Sequence, residues 1–492
     1  MKMKKYGFYG MLAAAALLAV LASCGNEESA VSAHTETENG TAQTVSSESV
    51  TEEEEYPLPN SDFGGTEFHI LTDDYLECEV LAEDSGDIID AAVYARNLAV
   101  QEKYDFVLTE EAMVWQDVPN RMSSLILAGE DAVQLLSHHM ISAGTFASGG
   151  LYENWYEIPY IDFSAPWWSA SMRNDLTLNG RAYIAVGDLS LTTTGRIFCL
   201  FFDKKGAENH DLPDLYQTVE DGAWTLEFYS SLIKDIREDV NGNDKAEFSD
   251  YYGMVMDSLS LTVWRWAFDA PIVETPTIPL QITIDSERMQ RVSEGLYSLC
   301  YDNPGVYYRP DYQNPNSRAG SSNRASRDAF VNGTSLFAIG VVEMAVKDFR
   351  EIGDYGLLPL PKLDAEQKAY HTIADGGNAG LLIPVTVSDP ERAGVIIEAL
   401  ARETYRSVLP IYYESALKVK YARDAESVRM LDLIRSGAVY DFGYTYDGWN
   451  GIAFTMQSMI SSGSSAWSST AAALEKKVTQ YYAELEKSFM NP

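Results

Sequence analysis

Twelve residues, Asp239-Val-Asn-Gly-Asn-Asp-Lys-Ala-Glu-Phe-Ser-Asp250, place side-chain oxygens at loop positions 1, 3, 5, 9 and 12. The residues are Asp239, Asn241, Asn243, Glu247 and Asp250, and a tight loop with that spacing can encircle a calcium ion. Two departures weigh against it. Asp244 holds the sixth position, where the turn favours glycine, and Asp250 is one carbon shorter than the bidentate glutamate of such loops. A solvated acidic turn capping the preceding helix would use the same residues. The expectation is a structural Ca2+ ion and no other cofactor.

A second chemistry needs flat faces. Trp155, Trp167, Trp168, Trp264, Trp266, Trp449 and Trp467 stand mostly in irregular or glycine-rich segments. Sugars present apolar C–H faces and polar edges, so a sugar site needs aromatic platforms with carboxylates or amides beside them. The expected ligand-binding set is Trp155, Trp167, Trp168, Trp264 and Trp449 for stacking, with Asp188, Thr192, Asp375, Asn378 and Asp447 for the hydroxyls. These polar residues lie near glycines that let the backbone approach a ligand. For any one tryptophan, packing is the competing reading; Trp224, at a helix start, is read as structural. No catalytic residue is expected. The chain has no Gly-x-Ser-x-Gly elbow, no His-Glu-x-x-His and no phosphate-binding glycine motif, and it has only six histidines. A carboxylate pair acting on a glycosidic bond has no local signature, so a glycosidase stays open as the alternative.

Holding such residues in place takes a sizeable scaffold. At 492 residues, 46% hydrophobic and 12% aromatic, the chain exceeds one compact core, and two lobes are expected. Its net charge of −37 makes nucleic acid and anionic lipid poor partners. The stretch Arg181 to Asp203 organises the rest. Ala182 to Val186 and Ile197 to Phe202 read as buried strands, and the polar Gly187 to Arg196 separates them. A crossing between lobes and a hairpin with a long loop both fit. Upstream, a strand at 65–72, helices at 87–104 and 122–128, and a strand at 132–136 alternate as in an α/β lobe. Downstream, Thr225 caps a helix to about 238, and 286–301 and 344–351 read as helices. Strands are expected at 335–342 and 380–387, and helices at 390–403, 427–435 and 471–489. Prolines mark 155–168 and 302–323 as loops. Cys24, Cys78, Cys199 and Cys300 form no Cys-x-x-Cys pair, so zinc is unsupported.

Residues 1–23 run from a basic start through the apolar Met11 to Leu21 into small residues, the pattern of a secretory signal too short to span a bilayer. Residues 25–60, with the run Glu52 to Glu55, are too polar to bury a core and read as an acidic tether. Leu21-Ala-Ser-Cys24-Gly25 resembles a bacterial lipobox, which implies cleavage before Cys24 and lipid on its thiol and new amino terminus.

Several segments, taken in order, resemble one family. They are the lipobox and tether, Tyr94-Ala-Arg-Asn97 with Glu102-Lys-Tyr104, Ala128-Gly-Glu-Asp131, the Asp239 to Gly253 loop, Gly356-Leu-Leu-Pro-Leu-Pro-Lys362, and Gly380 to Val387 before Pro390. Together they resemble extracellular solute-binding lipoproteins of bacterial ABC importers, of the sugar-binding type. The resemblance spans most of residues 62–492. It implies a two-lobe α/β fold of the periplasmic-binding-protein kind (class II type), with a ligand cleft between lobes joined by crossover strands. Crossings are implied at 182–202, 330–342 and 375–387. The implied division is a signal peptide at 1–23, a tether at 24–61, one lobe of 62–190 with 331–375, and a second of 191–330 with 376–492. The implied function is a monomer held by lipid on the extracellular face of the cytoplasmic membrane, passing a carbohydrate, expected to be an oligosaccharide, to an ABC permease. A surface-anchored glycoside hydrolase, or a glycan-binding protein without a transporter, is the alternative. The long 405–464 region and the 302–323 loop depart from the simplest members of the family.

Overall fold

The computed structural model describes residues 56–76, 80–83, 85–312, 324–417, 425–448 and 450–490. In chain order its strands are β1 (Thr66–Asp73), β2 (Phe106–Met113), β3 (Leu135–His139), β4 (Phe198–Asp203), β5 (Arg237–Glu238), β6 (Tyr251–Met256), β7 (Val306–Tyr308), β8 (Ser335–Val341), β9 (Tyr355–Leu358), β10 (Thr372–Ile373), β11 (Ala379–Leu382) and β12 (Ala438–Val439). Two sheets hold most of them. In the first, β1 runs parallel to β2 and β3, and β11 joins antiparallel, giving the order β11-β3-β1-β2.

Parallel neighbours need a crossover, and helices Ile88–Tyr104 and Val118–Leu127 provide it. Asp87 starts the first of these by accepting the Ile89 amide. Asp105, in the left-handed region at φ 48°, ends it by donating to Gln101. The second sheet has the order β5-β6-β8-β4-β9, with β7 beside β6. Its strand β4 is an unbroken apolar run, Phe198 to Phe202, buried throughout, as a strand covered on both faces must be.

Two segments cross between the sheets side by side. Ala185 bridges Leu381 and Ile197 bridges Ala374, both antiparallel, and the Asp375 amide donates to the Arg196 carbonyl at 2.7 Å. Between these bridges, Gly187 to Arg196 is not an exposed loop. Thr192–Gly195 forms one helical turn, and Asp188, Ser190, Thr192, Thr193 and Thr194 are all buried. A third, helical connection leads back. Helix Pro390–Glu403 packs on Ile88–Tyr104, a π turn follows at Thr404–Val408, and helices Leu409–Leu417 and Ala425–Ser436 carry the chain to β9.

The expected division of the lobes needs correction. β8 and β9 fall in 331–375 but pair in the second sheet, Phe198 opposite Val341 and Leu200 opposite Leu358. The 330–342 stretch is therefore a strand within one sheet and not a crossing. β11 falls in 376–492 but belongs to the first sheet, Leu381 opposite Ser137. In both cases the apolar run is matched by a partner far away in sequence. The helix expected at 344–351 is only the 3-10 turn Val342–Ala345, and the Thr225-capped helix ends at Ile233. Ala182 to Val186 is buried but makes one bridge rather than a ladder.

Candidate ligand-binding site

In open α/β sheets, ligands settle in the crevice beyond the carboxyl ends of the parallel strands. Here β1, β2 and β3 end on Asp73, Met113 and His139, and two residues beyond the first two ends stand Tyr75 and Trp115. Trp115 stacks on His139, with ring centroids 5.6 Å apart and planes 23° apart. Tyr75, half exposed, meets the same imidazole edge-on at 6.1 Å. Asp73 fixes this shelf, accepting the amide of His139 at 2.7 Å and that of Tyr75 at 3.0 Å. Burial works against the Asp73 charge, but the His138 ring and these two amides outweigh it and hold the carboxyl below its ordinary range.

Asp73 also bonds His138 Nδ1 at 2.7 Å, and His138 Nε2 bonds Ser142 Oγ at 2.8 Å. This is the order of a hydrolase triad. Ser142 is only 3% exposed and His138 0%, so no substrate reaches the hydroxyl in this arrangement. The relay's visible work is to tie β1 and β3 to the turn Met140–Gly144.

Facing the shelf are groups from the crossing segments. Arg196 donates to the Tyr75 carbonyl at 3.3 Å and pairs with Glu343, just past β8, at 3.2 Å. Asp375 accepts the Gly377 amide at 2.8 Å. A Cβ on Gly377 would lie 2.8 Å from Asp375 Oδ1 and 3.0 Å from Arg196 Nη1, so a side chain there would displace the tips of both. Burial pushes His139 below the ordinary histidine range, although Asp375 and Asp73 pull the other way. Beside this cluster a cavity of about 300 Å³ opens between the start of helix Ile88–Tyr104, the crossing and Glu343, with Asp90, Thr192, Lys347 and Tyr412 in its lining. The arrangement can stack a ring and hydrogen-bond its edge.

Few of the residues expected from sequence lie here. Asp375 does, and Thr192 lines the cavity. Thr192 and Asn378 chiefly bond each other: Asn378 Nδ2 donates to the Thr192 carbonyl at 3.1 Å and Thr192 Oγ1 to Asn378 Oδ1 at 3.2 Å, joining the two crossings. The tryptophan platforms need correction, because their faces are buried in the core. Trp155 donates to the Leu381 carbonyl, Trp167 and Trp168 donate to the two oxygens of Glu398, and Trp264 packs against Tyr229 and Phe268. Asp188 is held by Arg435 through both oxygens at 2.8 and 2.7 Å. Asp447 accepts the Gly451 and Ile452 amides as a turn cap. Trp449 and Cys24 lie outside the described residues, as does Cys78.

In the acidic loop, Asp239 accepts the amides of Gly242, Asn243 and Asp244, and Asp250 those of Val240 and Glu247. Asn241 donates to Glu247 at 2.9 Å. Among the described residues no group of three or more His, Cys, Asp or Glu is placed to hold a metal ion. Tyr75, Trp115, His139, Arg196 and Glu343 were missed by the sequence reading. A signal was available for Tyr75 and His139, which lie three residues past the strands read at 65–72 and 132–136; Trp115 follows β2, which the sequence did not reveal.

The architecture is the two-lobe fold of the sugar-binding proteins that serve ABC importers. Among solved structures with this fold, the sugar-binding protein MalE of Xanthomonas citri superposes with a TM-score of 0.58 at 12% identity, over 87% of this chain and 100% of its own. The maltose/maltodextrin-binding domain MalE of Bdellovibrio bacteriovorus, bound to maltotriose, gives 0.53 at 10% identity, over 86% and 99%. UgpB of Mycobacterium tuberculosis, in complex with glycerophosphocholine, gives 0.52 at 14% identity, over 86% and 99%. No family model and no curated protein matches the sequence.

Proposed function

We propose that this chain is the solute-binding protein of an ABC importer, lipid-anchored through Cys24 on the extracellular face of the cytoplasmic membrane. It captures a carbohydrate, an oligosaccharide in this reading, and hands it unchanged to the permease. One observation carries the proposal: the shelf of Tyr75, Trp115 and His139 at the carboxyl ends of three parallel strands, faced by Arg196 and Asp375 from the crossings. Stacking faces and charged edges in one crevice are what a sugar requires. The fold shared with the Xanthomonas and Bdellovibrio proteins supports a carbohydrate. The Mycobacterium protein means that fold alone does not name the solute. The anchor rests on the Leu21 to Gly25 pattern. Micromolar capture corresponds to about −8 kcal/mol, within reach of one or two stacked rings and several hydrogen bonds.

A panel of neutral oligosaccharides is expected to change tryptophan emission and raise Tm. Trp115→Ala, at the rim, should weaken binding about tenfold or more while leaving the fold intact. Binding to glycerophosphocholine or peptides with no response to any neutral glycan would overturn the carbohydrate reading, and release of reducing ends would overturn the non-enzymatic one. Calcium at Asp239, Asn241, Asn243, Glu247 and Asp250 belongs to the same proposal, supported by left-handed turns at Gly242 and Asp244. In the same melting experiments calcium should raise Tm of the native chain and not of Asp239→Ala.

A further inference from the structure

A second groove, of about 370 Å³, shares no lining residue with the cavity beside the shelf. Its floor is the first crossing, at Thr193 and Ile197. One wall is the aromatic loop with the short helix Ala170–Asp175, and the other is the end of helix Ala425–Ser436 with β12. The first wall is fixed to the crossing by main-chain bonds, Ser169 to Val186 at 3.0 Å and Asp188 to Trp167 at 2.8 Å.

Arg173 lines this groove, and its Nε is shielded from water with no hydrogen-bond partner. No ion pair satisfies Arg173 among the described residues, in a chain with 73 Asp and Glu against 36 Lys and Arg. In such a protein an unpaired arginine is not left so for want of carboxylates. Arg435, on the opposite wall, gives Nη2 to Asp188 and Nη1 to Tyr413. Ser169 and Ser171 also line the groove, the Ser169 hydroxyl already accepting the Met172 amide at 3.3 Å. Forked N–H donors beside hydroxyls are the donor set for an oxyanion. Two carboxylates oppose it: Asp188, which already engages Arg435, and Asp432, exposed at the rim.

We infer that this groove binds a small oxyanion, either free phosphate or the carboxylate of an organic acid, with Arg173 as the principal donor. The inference is independent of the carbohydrate reading. The test is calorimetric titration of the full chain with inorganic phosphate and, separately, with succinate, which distinguishes the two sources. Saturable binding of at least one is expected, weakened about tenfold or more in Arg173→Gln by loss of a charge-assisted bond. Asp432→Asn, which removes a like charge, should bind more tightly, and Trp115→Ala should bind as the native chain does. If Arg173→Gln fails to fold, Arg173→Lys, which keeps the charge and loses the fork, should show a smaller loss. Absence of saturable binding to both anions, equal affinity in the Arg173 variants, or weaker binding in Asp432→Asn would overturn the assignment.

Discussion

Glu398 is a buried carboxyl group, and each of its oxygens accepts one indole N–H, from Trp167 at 2.9 Å and from Trp168 at 2.8 Å. Burial pushes its pKa up to about 7, and the indole bonds only partly oppose the rise. The sign of the linkage follows. The unfolded chain releases this proton near the ordinary value of 4.5 and the native chain near 7, so between those values the native state binds more protons. Stability from this group is therefore fully present below the unfolded pKa and is lost as pH rises through the folded one. Asp175, pushed up to about 6 by burial, acts in the same direction. Calorimetry from pH 5 to 7.5 should show Tm falling, with a shallower slope in Glu398→Gln. That amide can accept from one indole and not both, so the variant should also lose about 1 kcal/mol at pH 5. Equal slopes would remove Glu398 from the account. These residues also show why the platforms were misread. Tryptophans outside periodic segments were legible in the sequence as loop residues. Their burial was not, because it depends on the main-chain bonds that lay this loop along the crossing at Val186 and Asp188.

Elements with local signals were legible, and elements defined by distant partners were not. The helix starts could be read because their caps are local: Asp87 accepts Ile89, Thr225 accepts Phe228, and Ser286 accepts Met289. Several strands were legible from apolar runs, β1, β3, β4, β8 and β11 among them, but β2 and β6 were not, and the apolar run Ala182 to Val186 makes only one bridge. Sheet membership was not legible, since Ser335–Val341 reads the same whichever sheet it joins, and only its register against β4 decides. The crossing segments are the clearest case. Gly187 to Arg196 is polar in sequence but largely buried, and most of its polar groups find partners: Asp188 in Arg435, Ser190 in Thr192, and Thr193 in the Gly187 carbonyl. Asn378 bonds Thr192 through both its side-chain oxygen and its nitrogen, and Thr192 Oγ1 accepts the Ala379 amide at 3.0 Å. Asn378→Ala leaves the Thr192 carbonyl without that donor in a buried place, a loss of about 1–3 kcal/mol. Urea unfolding should show a lower midpoint at unchanged slope. A midpoint equal to that of the native chain would mean that the two crossings are not held by this pair.

At the scale of the whole molecule, two lobes were legible from size, and the shelf between them follows from where three parallel strands end. Charged side chains make contacts between the lobes and from the crossing to each of them. Asp87, the cap of helix Ile88–Tyr104 on the first sheet, pairs with Arg350, beyond β8 of the second, at 3.5 Å. Arg196 reaches Tyr75 on one side and Glu343 on the other. The Asp87–Arg350 pair is largely exposed, Arg350 at 64%, so its contribution is at most about 1 kcal/mol and is screened by salt. If the lobes close on a ligand, as the proposed function implies, a bias this small is easily shifted. If the closed arrangement is the one that binds, the apparent Kd rises as its population falls. Arg350→Ala should therefore weaken ligand capture by up to about fivefold, the equivalent of 1 kcal/mol, without altering any group on the shelf. The same mutation should increase the radius of gyration of the ligand-free protein in X-ray scattering and leave that of the liganded form unchanged. Raising ionic strength should reproduce the effect in the native chain and do little in Arg350→Ala, because the pair being screened is already absent. Affinity that falls with salt equally in both proteins would place the bias elsewhere, the more sheltered Arg196–Glu343 and Arg435–Asp188 pairs being candidates.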